Sequence, residues 1–291
     1  MSRRLALVVN PAAAGGKALA VLPRVEDELR RIGAQYRVVR SDSGEHAKRL
    51  AREMAGAGQG SHQTVAAHGH RDLAGALCEC DGALAIVPGG RGNDFARVLG
   101  IPTAPEEAVR LAWEGTARPL DVGKVDGKSF VGIASFGFDS DANRIANETK
   151  VVRGNLVYAY AALRALAQWK HARFTVVVDG ERHEFTGYSV AVGNSKAFGG
   201  GMFLFPMAEL DDGKLDVCVI TEQSKLHYLR GLPKVFKGTH VDDPAVHFFR
   251  GETIEVSSDR QFEVYADGDP LATTPATISV AKQALRVIVP S

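Results

Sequence analysis

The stretch that decides the fold runs from Thr64 to Leu99, "TVAAHGHRDLAGALCECDGALAIVPGGRGNDFARVL". It contains one unit twice: a short apolar strand, a polar loop and the start of a helix. The second loop, PGGRGND, is glycine-rich, as a phosphate-binding turn is, because glycine lets backbone amides approach an anion closely. The first loop, HGHRD, instead places His68, His70, Arg71 and Asp72 around a single glycine. Two matching loops are thus built from different chemistry.

Outside this stretch, the N-terminal part of the chain alternates strands and helices. LALVVN predicts a strand, ALAVLPRVEDELRRIG an amphipathic helix despite Pro23, and YRVVRSD a second strand. Further helices are expected from about Glu45 to Ala55 and near PEEAVRLAWEG. This order predicts a Rossmann-like parallel sheet covered by helices. Such sheets bind ligands beyond the carboxyl ends of their strands, where the loops NPAAAGGK, HGHRD and PGGRGND lie.

The residue composition changes after RPLDVG. Runs such as KSFVGIASFGF, KLDVCVIT and ATISVAKQALRVIVP are rich in strand-forming residues, and Asp179-Gly180 is typical of a hairpin turn. One helix is expected within this region, from about Asn155 to Lys170. We predict an antiparallel β-sandwich domain over residues 123–291, after an α/β domain over residues 1–122. An alternative returns the last strand to the first domain. An active site is expected in the cleft between the two domains.

Bulk composition excludes several classes of protein. The 291 residues are 45% hydrophobic and 24% charged, which is typical of a folded globular chain. A formal net charge of +1 argues against a nucleic-acid partner. The three cysteines are too few for a disulfide framework, so we expect a reducing cytoplasm. No segment is long and apolar enough to span a bilayer, so membrane work would be peripheral, at the inner face of the cell membrane. A homodimer is one option.

Several ordered motifs together resemble the diacylglycerol kinase-like lipid kinases, which include the bacterial diacylglycerol kinases and the sphingosine kinases. VVNPAAAGGKA is similar to the opening strand and loop of that family, and VPGGRGNDFARVLGIP to its P-x-G-T-x-N-D-F-A-R segment, with Arg91 in place of threonine. LDVGKVDGKSFVGIASFGFDS resembles the domain crossover. VGNSKAFGGGM and PMAELDDGKLDV resemble its GGG and DG-x-LD runs, and YADGDP lies where the family has DGE. The resemblance extends along nearly the whole chain.

The family carries a GGDGT motif where this chain has HGHRD. In the family the glycines bind nucleotide phosphate and the aspartate organises Mg²⁺. Here His70 replaces that aspartate, and imidazole is a poor ligand for Mg²⁺, which prefers oxygen. Arg71 replaces a glycine that permits close phosphate approach. Either Asp72, Asp94 and Arg91 take over these contacts, or phosphotransfer is impaired, or a histidine of the loop serves other acid–base chemistry.

The resemblance implies ATP-dependent phosphorylation of a lipid hydroxyl, with ATP and Mg²⁺ as cofactors and a lipid substrate such as diacylglycerol or a related amphipathic alcohol. The alternative is a catalytically impaired or repurposed relative that binds nucleotide or lipid. Asp269 stands where the family has its general base, and Asp94 is the second candidate catalytic residue. Asp211, Asp212 and Asp216 resemble a separate structural metal site. The residues expected at the nucleotide are Asn10, Gly15, Gly16, Lys17, Gly69, Gly89, Gly90, Arg91, Gly92 and Asn93.

The sequence leaves two alternatives for the residues that would bind an acyl chain. The run FLFPM, from Phe203 to Met207, and the helix that carries Tyr158 and Tyr160 either line an acyl groove or pack in the core.

Overall fold

The computed structural model describes residues 4–9, 17–56, 63–67, 70–78, 80, 82–88, 93–149 and 156–291. The chain divides into two compact units, one of residues 1–122 and 281–291 and the other of residues 123–280. The C-terminal end of the chain thus belongs to the first unit.

The first unit is built on a parallel sheet. Its strands are β1 (Arg4–Val9), β2 (Gln35–Arg40), β3 (Gln63–Ala67) and β4 (Ala83–Ile86). β1 lies between β2 and β3, β3 pairs with β4, and every one of these pairs is parallel. The apolar side chains of β1, from Leu5 to Val9, are all buried. A continuous apolar run of this kind is what a parallel strand covered on both faces requires. The prediction of a Rossmann-like parallel sheet is confirmed.

The described residues of this unit also form five helices: α1 (Lys17–Arg31), α2 (Gly44–Gly56), α3 (His70–Leu77), α4 (Asp94–Val98) and α5 (Pro105–Glu114). The first, second and last agree with the sequence prediction. α3 begins earlier than predicted, because His70, Arg71 and Asp72 form its first turn and not a loop. Leu73 and Leu77, on one face of α3, are buried and anchor it.

The second unit is an antiparallel sheet with three helices. Its strands are β5 (Thr116–Val125, entering from the first unit), β6 (Lys128–Phe130), β7 (Ile133–Gly137), β8 (Ala172–Val178), β9 (Glu181–Gly193), β10 (Leu215–Thr221), β11 (Val246–Gly251), β12 (Thr253–Ser258), β13 (Glu263–Ala266), β14 (Asp269–Thr273) and β15 (Ala276–Val289). The order β14-β13-β7-β9-β8-β12-β15 forms its main path, and β10 pairs with β9 and β11. This confirms the predicted antiparallel sandwich.

β15 serves both units in turn. Its first residues pair antiparallel with β12 in the second unit, and Arg286 and Val287 then pair parallel with β4 in the first.

The helices of the second unit are α6 (Phe138–Glu148), α7 (Leu156–Gln168) and α8 (Lys225–Lys237), with a short 3₁₀ turn at Thr239–Asp242. Only α7 was expected from the sequence. α6 and α8 were missed because their apolar residues are interrupted by polar ones, by Gly231 and by Pro233. The core beneath them is aromatic: Trp169 stacks on Tyr188 with ring centroids 6.1 Å apart, and Phe138 meets Trp169 edge-on at 5.7 Å. Among the described helices, none has the length and apolar character to cross a membrane.

Candidate active site

The hairpin between β13 and β14 presents the candidate general base. Asp267 and Gly268 both have positive φ, 51° and 93°, as the central residues of a tight Asp-Gly hairpin turn require. Asp269 follows immediately as the first residue of β14 and is paired in register with Ala266. Its position is solvent-exposed. The carboxylate of Asp269 is therefore presented by a short, well-defined turn.

The turn is held to the two residues that precede β7 through the side chain of Asp267. One carboxylate oxygen accepts the backbone N–H of Val131 at 2.9 Å, and the other accepts the N–H of Gly132 at 2.9 Å. The backbone N–H of Asp267 donates to the carbonyl of Ile133 at 3.3 Å. Hydrogen bonds to an ionised carboxylate are stronger than neutral ones. Asp267 thus fixes the turn that carries Asp269, and we call these contacts the Asp267 clasp.

A glycine is required on the other side of the clasp. A Cβ atom at Gly132 would lie 2.4 Å from the Oδ1 atom of Asp267, closer than real contacts allow. The carbonyl of Gly132 in turn accepts the backbone N–H groups of Asn194 at 2.9 Å and Ser195 at 3.1 Å. The Nδ2 atom of Asn194 donates to the carbonyl of Val131 at 3.1 Å. Three sequence runs that are far apart, VGIAS, VGNS and YADGD, therefore meet at one place.

The sequence interpretation did not assign Asn194 or Asp267 a role at the site. Both are polar residues whose partners are distant in sequence, and Asn194 is almost completely buried. The signal that could have found them is a glycine beside each polar residue, in the pairs Gly193-Asn194 and Asp267-Gly268. Such pairs mark backbone that approaches another chain segment closely.

The glycine run after Asn194 has an unusual backbone. Gly199, Gly200 and Gly201 all have positive φ, 62°, 87° and 115°. Phe198 and Met202 exchange two backbone hydrogen bonds of 3.0 Å across this run. Side chains at three consecutive positive φ angles would be strained, so only glycine fits here.

In the run FLFPM, for which the sequence left an acyl groove and the core as alternatives, Leu204 and Phe205 are buried core residues, whereas Met207 is exposed. This run is therefore chiefly a core segment.

Of the aspartates expected at a metal, Asp211 and Asp212 lie in the turn that precedes β10, and Asp216 is the second residue of that strand. Asp211 is exposed, Asp212 is partly buried and Asp216 is buried. Asp212 and Asp216 both approach the guanidinium of Arg250; its Nε atom is 3.6 Å from Asp216, and its Nη2 atom contacts Asp212. Burial, with the nearby Glu209 carboxylate, raises the pKa of Asp216 to about 6, although Arg250 is adjacent.

These contacts bear on a metal at this turn. Within the part of the chain that the structure describes, no three His, Cys, Asp or Glu side chains form a cluster suited to a metal ion. The present arrangement fits a carboxylate–guanidinium cluster better than a cation site, since Arg250 already supplies the positive charge. The metal role of Asp211, Asp212 and Asp216 stays a prediction.

The candidate nucleotide site belongs to the first unit. β1, β3 and β4 are parallel, and their carboxyl ends, at Val9, Ala67 and Ile86, each lead toward one of the three loops identified from the sequence. Parallel strands bring such loops to one edge of the sheet. Lys17 and His70 are the first residues of α1 and α3. Eight of the expected binding residues lie outside the described residues: Asn10, Gly15, Gly16, Gly69, Gly89, Gly90, Arg91 and Gly92.

The end of the third loop is described. Asn93 is the N-cap residue of α4, with left-handed backbone angles of φ 52° and ψ 32°. Asp94 is the first residue of that helix, and its Oδ1 atom accepts a hydrogen bond from Nη1 of Arg97 at 2.7 Å. The carboxylate of Asp94 thus offers ligand oxygens at the start of a helix, where the helix dipole also favours anions. This arrangement is compatible with phosphate or Mg²⁺ binding.

A further carboxylate, which the sequence interpretation missed, lies in the first turn of α6. Asp139 lies two residues after Gly137, whose φ of 99° is a backbone angle that residues with a side chain rarely adopt. Burial raises the pKa of Asp139 to about 6, and a hydrogen bond with Ser189 opposes the shift. The same burial raises the pKa of the neighbouring Cys218 thiol. Asp139 is therefore a carboxyl group that the fold partly favours in its neutral form.

An α/β unit built on a parallel sheet, followed by an antiparallel unit with a clasped acidic hairpin, is the architecture expected of a lipid kinase with a β-sandwich second domain. Comparison with known proteins agrees. Residues 4–125 match the diacylglycerol kinase catalytic domain, and residues 132–289 match the YegS C-terminal NAD kinase beta sandwich-like domain.

Similar proteins are found among curated sequences and solved structures. A diacylglycerol kinase of Mycobacterium tuberculosis is 35% identical over 221 residues, which cover 74% of this chain and 71% of that protein. A Pseudomonas aeruginosa protein named "Probable lipid kinase YegS-like" is 34% identical over 253 residues, covering 84% and 82%. A crystal structure of a diacylglycerol kinase from Bacillus anthracis superposes with a TM-score of 0.74 at 22% identity, covering 98% and 96%, which shows the shared fold. The chain belongs to the diacylglycerol kinase family of enzymes.

Proposed function

We propose that the protein transfers the γ-phosphoryl group of ATP to the hydroxyl of a lipid, either diacylglycerol or a related amphipathic alcohol. The observation that supports this most is the Asp267 clasp, because it holds Asp269 at the end of a fixed hairpin in a chain of this family. An exposed carboxylate on a rigid turn can approach a substrate hydroxyl with little loss of conformational entropy on binding.

In this proposal Asp269 is the general base. Its carboxylate accepts the proton of the lipid hydroxyl while the hydroxyl oxygen attacks the γ-phosphorus. The bond between the γ-phosphorus and the oxygen that bridges it to the β-phosphate breaks, and ADP leaves with that oxygen. The three glycine-rich or polar loops of the first unit, with Asn93 and Lys17 at their ends, hold the nucleotide. Mg²⁺, when bound, neutralises phosphate charge. Asp94 and Asp72, at the starts of α4 and α3, are the carboxylates beside those loops that offer the oxygen ligands Mg²⁺ prefers.

The experiment combines phosphotransfer and nucleotide binding. Purified protein, labelled ATP and MgCl₂ are incubated with mixed micelles of single lipids, and ATP affinity is measured separately by calorimetry. We expect Asp269→Asn to lower kcat by roughly a hundredfold or more and to leave ATP affinity nearly unchanged, because only proton removal is lost. Asp269→Glu restores the family residue and should retain activity. Equal loss of turnover and ATP affinity in Asp269→Asn would show that Asp269 supports the fold or the nucleotide and is not the base.

A second candidate is an impaired or repurposed relative, favoured by one observation: His70, Arg71 and Asp72, three of the five residues that replace the GGDGT motif, form the first turn of α3. Restoring the motif takes four substitutions, His68→Gly, His70→Asp, Arg71→Gly and Asp72→Thr. If the native loop limits phosphotransfer, ATP should bind more tightly in a Mg²⁺-dependent manner, and lipid phosphorylation should rise. If a native activity is abolished and no kinase activity is gained, the loop serves other chemistry. A folded variant unchanged in both respects would place the function elsewhere.

A further inference from the structure

The outward face of α8 combines cations with large apolar side chains. The inward face packs on the core: Tyr228 is buried, and Leu229 and Leu232 lie against the main core cluster of the second unit. Opposite them, Leu226 is 56% exposed, and Arg230 and Lys237 fall on the same side at helical spacing. Phe236 lies on the same face as Leu229 and Leu232 at helical spacing, but near the C-terminal end of the helix it is 51% exposed. The exposed surface of α8 therefore combines the cations Arg230 and Lys237 with the apolar side chains of Leu226 and, toward the C-terminal end, Phe236.

Charge on α8 is of one sign only. The helix carries Lys225, Arg230, Lys234 and Lys237, and its sequence contains no aspartate or glutamate. Lys234 lies 3.5 Å from the Asp243 carboxylate. Arg230 and Lys237, by contrast, have no ion-pair partner among the residues the structure describes. Two unneutralised cations therefore stand on a helix about 20 Å long.

Neighbouring segments extend the apolar surface. The backbone N–H of Phe203 donates to the carbonyl of Val235 at 3.0 Å, which brings the segment of Met207 to the C-terminal end of α8. At the other end, Lys225 donates to the carbonyl of Ala167 at the end of α7, at 2.8 Å. Large apolar residues that are more than one-third exposed on these three segments are Tyr160, Leu163, Met207, Leu226 and Phe236. Within the described chain, Leu19 alone of this kind lies elsewhere.

We propose that α8 and its flanking residues Met207 and Leu163 form a docking face for an anionic phospholipid membrane. Exposed cations are attracted to the negative surface of such a bilayer, while Leu226 and Phe236 enter its interfacial region. Charge complementarity selects this partner, because a neutral apolar surface would gain nothing from Arg230 and Lys237. The inference rests on the proposed function, in which the substrate lies in a membrane, and it adds which face of the protein meets that membrane.

The test is co-sedimentation of the full chain with vesicles, without ATP. We expect binding to phosphatidylglycerol-containing vesicles, weak binding to pure phosphatidylcholine vesicles, and weakening by salt. Arg230→Glu with Lys237→Glu should lower the vesicle partition coefficient at least ~30-fold, since each cation near such a surface contributes about 1 kcal/mol. The matched control, Arg49→Glu with Arg173→Glu, makes the same change in net charge on exposed residues of α2 and β8 and should bind like the native protein.

A second variant, Leu226→Ser with Phe236→Ser, keeps the charges and removes the apolar anchors. It should also bind vesicles weakly, and its Tm should equal that of the native protein. The inference is overturned if the native protein does not bind anionic vesicles, or if the charge variant binds as tightly as its control. It is also overturned if sedimentation velocity shows a dimer that the Leu226/Phe236 variant dissociates, because a second copy then covers this face.

Activity separates this inference from the proposed function. In neutral detergent micelles the charge variant should phosphorylate lipid like the native protein, and in anionic vesicles it should be slower. Vesicle binding through α8 by a protein that phosphorylates no lipid would refute the proposed function and leave the docking face in place.

Discussion

The Asp267 clasp makes a prediction that links stability to function. Asp267→Asn keeps the side-chain shape and tolerates the left-handed backbone, since Asn adopts positive φ readily. However, it replaces one acceptor oxygen with an amide NH₂ group. Either Val131 or Gly132 then faces a donor in place of an acceptor. Asp267→Ala removes both acceptors. It also places alanine, whose side chain forms no local hydrogen bonds, at a φ of 51°.

The magnitude follows from the two hydrogen bonds of 2.9 Å. Leaving one buried N–H unsatisfied costs about 1–3 kcal/mol, and the remaining bond loses its charge assistance. We expect Asp267→Asn to destabilise the protein by about 2–4 kcal/mol, and Asp267→Ala by about 3–5 kcal/mol. For a unit of this size the Asn variant should lower the Tm by roughly 5–15 °C.

The sequence offers a matched control in the hairpin between β8 and β9. Asp179 and Gly180 have the same positive φ angles, 48° and 92°, and the Asp179 carboxylate accepts the N–H groups of Glu252 at 3.0 Å and Thr253 at 2.8 Å. Asp179 is more exposed, so Asp179→Asn should cost less, about 1–2 kcal/mol.

The assay measures thermal unfolding, ATP affinity and lipid phosphorylation for both variants at a temperature where both are folded. Asp267→Asn should lower kcat at least roughly tenfold with ATP affinity unchanged, because the turn no longer holds Asp269 in place. Asp179→Asn should retain full turnover. If Asp267→Asn has the same Tm as the native protein, the clasp does not stabilise the turn. If both variants lose activity equally, the loss reflects general destabilisation, and Asp267 has no positioning role.

Two further predictions concern the carboxyl groups whose pKa values are raised, Asp139 and Asp216. The pKa of Asp139 is raised to about 6 from an ordinary value of 3.8, so its contribution to stability is present below pH 4 and is lost as pH rises toward 6. Asp139→Asn should therefore raise the unfolding free energy at pH 8 by up to about 3 kcal/mol and change little at pH 3.5, and a Tm profile without this pH dependence would refute the reasoning. Arg250→Met leaves Asp212 and Asp216 without their shared cation, so the Tm should fall more at pH 8 than at pH 5. MgCl₂ should restore part of that loss if Asp211 and its neighbours bind a cation, and an absence of rescue in thermal melts would count against a metal site there.

Much of the fold could be predicted from local sequence pattern. Apolar runs such as LALVV, alternating with amphipathic helices, specify a parallel sheet because they suit burial on both faces. The Asp-Gly pairs at residues 179–180 and 267–268 likewise specify hairpins, because few other residues adopt positive φ there. α6 and α8 escaped prediction, since their burial comes from packing on an aromatic core and not from a regular apolar period. His70, Arg71 and Asp72 were misplaced in a loop for a related reason: the buried face of α3 begins only at Leu73.

The sequence by itself determined the two kinds of unit, the order of strands and helices in the first unit and the family resemblance, because these depend on residues close together in the chain. Only the tertiary structure decided which aspartate of the Asp-Gly-Asp run is anchored and which is presented. The clasp joins Asp267 to Gly132 across 135 positions, and local periodicity carries no information about such a contact. The same holds for Arg250 beside Asp212, and for the solvent side of α8. In each case the function of a polar side chain depends on its distant neighbours, which folding alone brings together.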